Sequence, residues 1–327
     1  MKLLTLEALA VAAFLGGSAA GAADIPYSFE VLDVHQIPVQ TLISMNERNE
    51  RTAWTLPQGQ NSKGIYTNAK GQDTLFDCGG ATPGDTQPGK INGHGVIGGW
   101  CTIGLTTVGF LRDPKKDALT FVTVSGADQT LILGLNSRNH AVGQYYNPLE
   151  LNRSGLYRIH GFLWDGAKTI TIDVPVTNSV TTLLGIDDGG RILGQYFTFD
   201  PATNETSASV SFLYDNGQFS AIKVPGSTFS DAWDINRLGQ IIGNSDLGVF
   251  FYDDGNFYTV QSPQGFRIVS VDNIDDDGRI VGRYTDITNC NIPFVGCPPP
   301  QTFLATQMVR GKSGKLIVDL RSKGERE

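Results

Sequence analysis

Short apolar runs separated by turns rich in glycine follow one another along most of the chain, and they predict β-strands rather than helices. The stretch Gly161–Tyr196 shows the pattern most completely. It contains an apolar run ending in an Asp-Gly turn, an alternating run before a proline, a run ending on an aspartate, and a short apolar run after a turn. We interpret this stretch as a unit of four strands, and its signals return downstream in the same order.

The most regular feature is a turn in which Asn or Asp is followed three residues later by Gly or Asn. It occurs six times, at Asn46/Asn49, Asn92/Gly95, Asn136/Asn139, Asp187/Gly190, Asn236/Gly239 and Asp275/Gly278. The first side chain accepts a backbone hydrogen bond, and the fourth position requires a positive φ, which Gly adopts freely and Asn tolerates. The pattern predicts six hairpins, with Gly190, Gly239 and Gly278 in the left-handed conformation.

A strand follows each turn, and the repeat can be measured near its end. The markers lie 40 to 51 residues apart, at Trp54, Trp100, Tyr145, Tyr196, Asn244 and Tyr284. This period is typical of propeller blades. We predict an all-β fold: a single β-propeller of six four-stranded blades, with seven blades as the alternative. The recurring aromatic residues are interpreted as packing between neighbouring blades, and the N-terminal strand is expected to join a blade formed by the C-terminal end, which removes a free sheet edge.

The repeated residues resemble those of the HAF-repeat family of secreted bacterial proteins. The closest matches are HGFLW at His160–Trp164, GIDDGGRILGQY at Gly185–Tyr196 and NIDDDGRIVGRY at Asn273–Tyr284. The resemblance extends from about Phe29 to Leu320 and implies a propeller-like repeat fold and export. It assigns no functional residue.

The N-terminus has the features of a secretory signal. Lys2 precedes an apolar run that is too short to span a membrane, and small residues end at Ala22. We expect the propeller to occupy residues 23–327 and the mature chain to be a secreted or periplasmic monomer without a membrane span. A net charge of −8 without a basic stripe argues against nucleic acid as a partner.

Four cysteines lie in the expected mature chain, and an even number in an exported protein favours disulfides. Three pairings are possible. We prefer Cys290–Cys297 and Cys78–Cys101, because the members of each pair are close in sequence. The spacing does not match a zinc site.

No motif identifies a catalytic residue, a cofactor site or a metal site. Asn273, Asp275 and Asp277 reproduce half of a calcium loop, but a bidentate Glu is missing and equivalent turns lack the acids. The four histidines lack partner patterns, and GxSxG, HExxH and P-loop spacings do not occur. We therefore expect no cofactor.

The length of the connecting loops breaks the repeat. In an antiparallel meander alternate turns fall on opposite faces, so the long connections Tyr146–His160, Phe197–Val210 and Thr285–Gln301 share one face, which we name the long-loop face. The sequence favours a non-enzymatic protein that binds an extracellular glycan, peptide or surface partner there, with Tyr157, Phe199, Asp200 and Phe294 as candidate ligand contacts. The alternative is a hydrolase or lyase acting on an extracellular polysaccharide or peptide.

Overall fold

The computed structural model describes residues 23–25, 27–32, 41–79, 83–151, 157–200, 202–203, 205–288, 300–310 and 316–318. All the regular secondary structure in these ranges is β-strand, and the sheets have a propeller-like arrangement. The prediction of an all-β propeller is therefore confirmed at this level. The predicted signal segment, Met1–Ala22, lies outside the described residues.

The first two sheets contain the strands from residue 41 to residue 171. The first sheet consists of β3 (Thr41–Met45), β4 (Arg51–Thr55), β5 (Lys63–Thr67) and β6 (Asp73–Phe76). The second sheet has eight strands: β7 (Pro83–Ile91), β8 (Ile97–Ile103), β9 (Thr106–Asp113), β10 (Ala118–Val122), β11 (Gln129–Leu135), β12 (Ala141–Leu151), β13 (Tyr157–Trp164) and β14 (Thr169–Thr171).

Three further sheets complete the described fold. The third consists of β15 (Ser179–Ile186), β16 (Ile192–Thr198), β17 (Val210–Asp215) and β18 (Gln218–Ala221). The fourth joins β1 (Ala23–Ile25) to β19 (Ser230–Ile235), β20 (Ile241–Ser245), β21 (Gly248–Asp253) and β22 (Asn256–Val260). The fifth joins β2 (Tyr27–Val31) to β23 (Phe266–Ile274), β24 (Ile280–Asp286), β25 (Gln301–Arg310) and β26 (Leu316–Val318).

The number of sheets differs from the six separate blades predicted. The described strands form five hydrogen-bonded sheets, because β9 and β11 are joined within the eight-stranded sheet. The junction is a single parallel residue pair, Gln129 with Thr107. A contact of this kind between adjacent units leaves no trace in the hydrophobic pattern.

Both ends of the chain pair with strands that are distant in sequence. β2 runs antiparallel to β25, with Phe29 opposite Ala305. β1 lies parallel to β22 and covers the outer edge of the fourth sheet. The expected pairing of the N-terminal strand with a sheet formed by the C-terminal end is confirmed, and it protects two sheet edges.

The six turns predicted from the sequence are all present, and we call them the Asx turns. In the first, the backbone N–H groups of Arg48 and Glu50 donate to Asn46 Oδ1 at 3.1 and 3.0 Å. The fourth residue of every turn has a positive φ, at Asn49, Gly95, Asn139, Gly190, Gly239 and Gly278. The predicted left-handed glycines are confirmed.

Hydrogen bonds link each Asx turn to the next and the last to the first. The Nδ2 groups of Asn46, Asn92 and Asn136 donate to the backbone oxygens of Asn92, Asn136 and Asp187 at 3.0, 2.9 and 3.1 Å. Asn236 Nδ2 donates to Asp275 O at 2.9 Å. Arg191 Nη2 reaches Leu238 O at 3.4 Å, and Arg279 Nη2 reaches Asn46 O at 3.0 Å, which closes the circle.

A recurring pair of residues explains the repeated Val-Gly and Gly-Phe motifs. The glycine of the second strand lies opposite a fully buried Phe of the third strand, as in Gly194–Phe212, Gly243–Phe250 and Gly282–Phe303. A Cβ on any of these glycines would overlap the Phe ring. The glycine therefore leaves space for the Phe ring to pack on the backbone of the neighbouring strand. These Phe rings belong to the hydrophobic clusters between the sheets.

One predicted disulfide is confirmed. Cys78, just after β6, is bonded to Cys101 in β8 and so links the first sheet to the second. Cys290 and Cys297 lie outside the described residues, and their pairing stays a prediction.

Candidate functional site

Bulges in the first strand of several units direct side chains into a central channel. The register shifts three residues before the Asx turn, at Ile43, Leu133, Leu184, Trp233 and Asp272. A bulge leaves one residue unpaired and turns its side chain away from the regular alternation. All five residues line the same cavity, together with Lys90.

This cavity, which we call the channel-mouth cavity, has a volume of about 140 Å³. Two indole rings, Trp100 and Trp233, contribute to its wall, and Trp233 is 45% exposed. The charged part of the lining comes from Lys90, Asp234 and Asp272. The cavity therefore combines flat apolar surfaces with a few fixed charged groups, the mixture found in small-molecule and polymer sites.

A buried ion pair forms the floor of the channel-mouth cavity. Lys90 Nζ, from the second sheet, donates to Asp234 Oδ2 in the fourth sheet, and it also contacts Ile274 O at 3.3 Å. Asp234 Oδ2 accepts two more hydrogen bonds, from Asn273 Nδ2 and from the Ile274 N–H, each at 2.8 Å. These contacts hold the pair rigidly and occupy both charges.

Asp272 is the carboxyl group of this cavity that remains available for chemistry. Burial raises its pKa above the ordinary aspartate value, while Arg283 and Ser270 partly oppose the shift. The Arg283 Nε lies 3.6 Å from Asp272 Oδ2 and donates to Ser270 Oγ at 3.1 Å. The Asp272 side chain is 21% exposed. Arg283 therefore holds it from one side, and it faces the cavity on the other.

A second cavity lies at the Asx-turn end of the channel. It is lined by residues of five of the six Asx turns and by Ile186, which precedes the remaining turn, and it has a volume of about 20 Å³, room for roughly one water molecule. Burial raises the pKa of both Glu47 and Asp276 on its wall. Lys90 lines both cavities, so its ion pair with Asp234 separates them. This end of the channel is too narrow to admit a polymer.

Of the candidate ligand contacts predicted from loop length, the two that the structure describes in full, Phe199 and Asp200, do not line either cavity. Phe199 forms an isolated bridge with Thr206, and Asp200 Oδ1 accepts the Ala202 N–H at 2.7 Å. Tyr157 begins β13, but its side chain is outside the described part of the chain, as is all of Phe294. Their role in binding stays a prediction. The long-loop reasoning missed the channel-mouth residues because they lie within strands, at bulges that the alternating pattern conceals.

The recurring aromatics occupy two positions rather than one. Trp54 and Trp100 lie eight residues after the first residue of their Asx turns, whereas Tyr145, Tyr196 and Tyr284 lie nine residues after theirs. Neighbouring residues in a strand point to opposite faces. The tyrosines pack against the clusters between sheets, as predicted, and Trp100 also lines the channel-mouth cavity, a position that the packing interpretation did not anticipate.

His160 is occupied by structural contacts. Its Nδ1 lies 2.6 Å from Asp173 Oδ2, its Nε2 lies 3.3 Å from Glu150 Oε2, and its ring stacks on Tyr145. The hydrogen bond to Asp173 raises the pKa of this imidazole. At 7% exposure His160 anchors the β12–β13 hairpin rather than meeting solvent.

Among the described side chains, no group of three or more His, Cys, Asp or Glu residues is placed to bind a metal ion. Within the same residues there is no helix with the length and apolarity required to cross a membrane.

No family model and no curated protein matches this sequence. Solved structures with a similar fold include the β-propeller domain of the Trilobed protease from Pyrococcus furiosus, with 10% identity, a TM-score of 0.40, and coverage of 76% of this chain and 91% of that one. Puromycin hydrolase has 10% identity and a TM-score of 0.49 over 90% of this chain and 50% of its own. TolB from Acinetobacter baumannii has 11% identity and a TM-score of 0.46 over 83% and 66%.

These comparisons correct the functional expectation. The sequence favoured a non-enzymatic binding protein, whereas the similar structures include the propeller domain of a protease and a hydrolase, in line with the alternative. This chain spans half the length of puromycin hydrolase. At such low identity the likeness concerns the fold, and it transfers no residue or reaction to this chain.

Proposed function

We propose that this chain is an exported hydrolase acting on an extracellular polysaccharide, with its site at the channel-mouth cavity. The observation that carries the proposal is the position of Asp272. A carboxyl group with a raised pKa faces a cavity walled by Trp100 and Trp233. Such a combination of a perturbed acid and a concave site is a common property of active sites.

The chemistry that suits this cavity is cleavage of a glycosidic bond. A carboxyl group that remains protonated at a higher pH than usual can donate its proton to the leaving oxygen as the C–O bond breaks. Water then adds to the sugar carbon, and its second proton passes to a base. Flat indole faces pack against the faces of sugar rings, so Trp100 and Trp233 are suited to position the chain.

Asp231 is the candidate for the base. It lies two residues before Trp233 in β19 but is not among the residues that line the cavity, and because burial raises its pKa it can act as a base only above that raised pKa. Asp234 is less suited, because Lys90, Asn273 and Ile274 already donate to its Oδ2.

The test is to incubate the purified chain with a panel of polysaccharides and to measure turnover as the release of reducing ends. We expect Asp272→Asn to lower kcat about 10²- to 10⁴-fold, because the amide has no acidic proton to give. In the parent, kcat should fall as the pH rises through the raised pKa of Asp272, since only the protonated form donates.

A matched control is Asp254→Asn, the same chemical change in the turn between β21 and β22, at the end of these strands opposite the channel-mouth cavity. Asp254 has a φ of +46°, a conformation that Asn tolerates. It should leave turnover unchanged. The proposal is overturned if the parent cleaves no polysaccharide of the panel, if it cleaves only peptides, or if Asp272→Asn retains full activity in a folded protein.

We also propose that the ring has six blades, with the eight-stranded sheet counted as two. One residue pair joins its halves, and each half has its own Asx turn. The repeat motifs support membership of the HAF-repeat family, and the N-terminal sequence supports export to the periplasm or medium as a monomer. Size-exclusion chromatography and N-terminal sequencing of the exported protein test the last two points.

A further inference from the structure

A third cavity, separate from the two cavities of the channel, lies at the ends of strands that open towards the long-loop face. It has a volume of about 270 Å³ and is lined by Gln60, Asn61, Ser62, Lys63, Asp77 and Gly84. These residues belong to the β4–β5 loop, the start of β5, the segment after β6, and the start of β7. We call it the β4–β5 cavity. None of its residues lines the channel-mouth cavity.

Ser62 is the unusual member of this lining. The residue is only 2% exposed, yet its hydroxyl has no hydrogen-bond partner in the part of the chain that the structure describes. Its backbone is held firmly, because its N–H donates to Asp85 Oδ1 at 2.7 Å and its carbonyl accepts from the Thr86 N–H at 2.9 Å. A buried hydroxyl without a partner destabilises a fold unless something else satisfies it.

The rest of the lining offers both donors and acceptors. Lys63 Nζ and Asp77 Oδ2 lie 3.8 Å apart, with side chains 36% and 29% exposed. Asp77 Oδ1 accepts the Gly79 N–H at 2.9 Å. The cavity thus contains one cation, one anion and neutral polar groups, a set that favours an uncharged ligand whose groups both donate and accept.

The cavity is also tied to the proposed active site. Asp77 precedes Cys78, which is bonded to Cys101, and Cys101 follows Trp100 of the channel-mouth cavity. The disulfide therefore fixes the Asp77 side of the β4–β5 cavity relative to the strand that carries Trp100. A site held in place before binding loses less entropy when its ligand arrives.

We infer that the β4–β5 cavity binds one sugar residue of the polysaccharide, away from the bond that is cleaved. Each sugar hydroxyl donates and accepts hydrogen bonds, which matches the lining. The volume lies just under the range of roughly 300–1,000 Å³ found for sites of drug-sized ligands, which suits a single sugar ring. This inference rests on the proposed function for the identity of the polymer, but binding itself can be measured without turnover.

The experiment is calorimetric titration of the full chain with soluble tetrasaccharides of glucose, mannose, N-acetylglucosamine and galacturonate, and with tetra-alanine as the peptide probe. The Asp272→Asn background prevents cleavage. We expect at least one neutral tetrasaccharide to bind, and Ser62→Ala to weaken that binding about tenfold, the loss of one hydrogen bond. Ser62→Ala should also melt at the same temperature or higher, because the unsatisfied hydroxyl is gone.

Thr86→Val is the matched control. Thr86 is fully buried and its Oγ1 also has no hydrogen-bond partner among the described residues, but it does not line the cavity. This variant should keep the parent's melting temperature or exceed it, and should bind the sugar as the parent does. Equal weakening by both variants would indicate a general structural effect and overturn the inference.

The two proposals fail in different ways. If sugar binding depends on Ser62 but the parent shows no turnover, the hydrolase proposal is contradicted and the sugar site is supported. Turnover that depends on Asp272, with Ser62→Ala binding as tightly as the parent, would remove the sugar site alone. The absence of binding by every tetrasaccharide, or binding of tetra-alanine only, also counts against the sugar site.

Discussion

Asparagine and aspartate have different roles at the first position of the Asx turns, although both form the turn. An Asn can donate its Nδ2 to the next turn, as Asn92 does to Asn136 O at 2.9 Å. An aspartate has no such donor. In both turns that begin with Asp, an Arg four residues later bonds to its carboxylate, with Arg191 Nε and Arg279 Nε each 2.6 Å from the acid.

The arginine supplies the donor that the aspartate lacks. Arg279 Nη2 bonds to Asn46 O, the same kind of acceptor that the Asn side chains reach elsewhere. The turns and their positive φ could be predicted from the spacing alone, because they depend on local chemistry. The link between turns could not, because it depends on the position of a carbonyl about 40 residues or more away.

This exchange predicts a specific rescue. Burial raises the pKa of Asp275 to about 6 even with Arg279 beside it. Arg279→Val should therefore destabilise the fold by about 3–5 kcal/mol at pH 8, because a buried carboxylate loses its partner. The double variant Asp275→Asn with Arg279→Val recreates the Asn92/Val96 combination and should recover most of the loss.

The measurement is chemical unfolding of the parent, both single variants and the double variant. Because the folded-state pKa of Asp275 is raised, the folded form holds its proton up to a higher pH than the unfolded form does. The deficit of Arg279→Val should accordingly shrink as the pH falls from 8 to 5. Additive losses in the double variant would contradict the exchange.

At the scale of the strand, the alternation of apolar and polar residues predicted the elements well and the channel lining poorly. A bulge shifts every following side chain to the other face, and the bulges at Leu184, Trp233 and Asp272 do so just before the turn. Gly134 and Gly185 follow two of the bulges, and a Cβ on either would meet the neighbouring strand. At these glycines the first strand of one unit packs directly against the first strand of the next. The charged groups of the channel therefore come from the units that lack this glycine.

Glu50 joins three elements at the start of β4. Its carboxylate accepts from Asn46 Nδ2 at 2.8 Å and from Tyr66 OH at 2.9 Å, and it lies 3.2 Å from Lys115 Nζ of the second sheet. Burial alone would raise the pKa of Glu50, but hydrogen bonds from Asn46, Arg48 and Tyr66 outweigh it and lower the pKa to about 2.

The lowered pKa gives a pH-dependent stability. The folded state holds Glu50 ionised, so its contribution is present above the ordinary glutamate pKa and is lost as the pH falls towards 2. We expect Glu50→Gln to reduce the free energy of unfolding at pH 7 by about 1–3 kcal/mol, and the difference from the parent to vanish near the acid limit. Urea unfolding at several pH values measures it. A deficit that stays constant down to pH 2.5 would exclude a charge-dependent role.

At the scale of the whole molecule, the period of the repeat was sufficient for the fold and insufficient for the site. The repeat predicted a propeller because each unit must bury its faces on its neighbours. One departure from the period is loop length, and the role of the long loops in binding stays a prediction. Another consists of single residues inside regular strands, Lys90, Trp233 and Asp272, whose convergence depends on the sheets being arranged around a channel.

The N-terminal strands close the molecule, and they do so unequally. β2 forms five residue pairs with β25, buries Tyr27, and places the Phe29 ring 5.2 Å from that of Phe303. β1 forms three pairs with β22 and lies parallel to it. A chain that begins at residue 33 loses both strands, whereas one that begins at residue 26 loses β1 alone.

The longer truncation should cost on the order of 5 kcal/mol, because two packed aromatic rings are removed and the edge of β25 is left open. That is comparable to the whole stability of many domains, so the truncated chain should melt at a much lower temperature and associate through the free edge.

The chain beginning at residue 26 is the control and should lose only a small part of the stability. Thermal unfolding and size-exclusion chromatography compare the three proteins, and a synthetic peptide of residues 23–32 should restore part of the lost melting temperature. Equal stability of the two truncated chains would show that β2 does not close the ring.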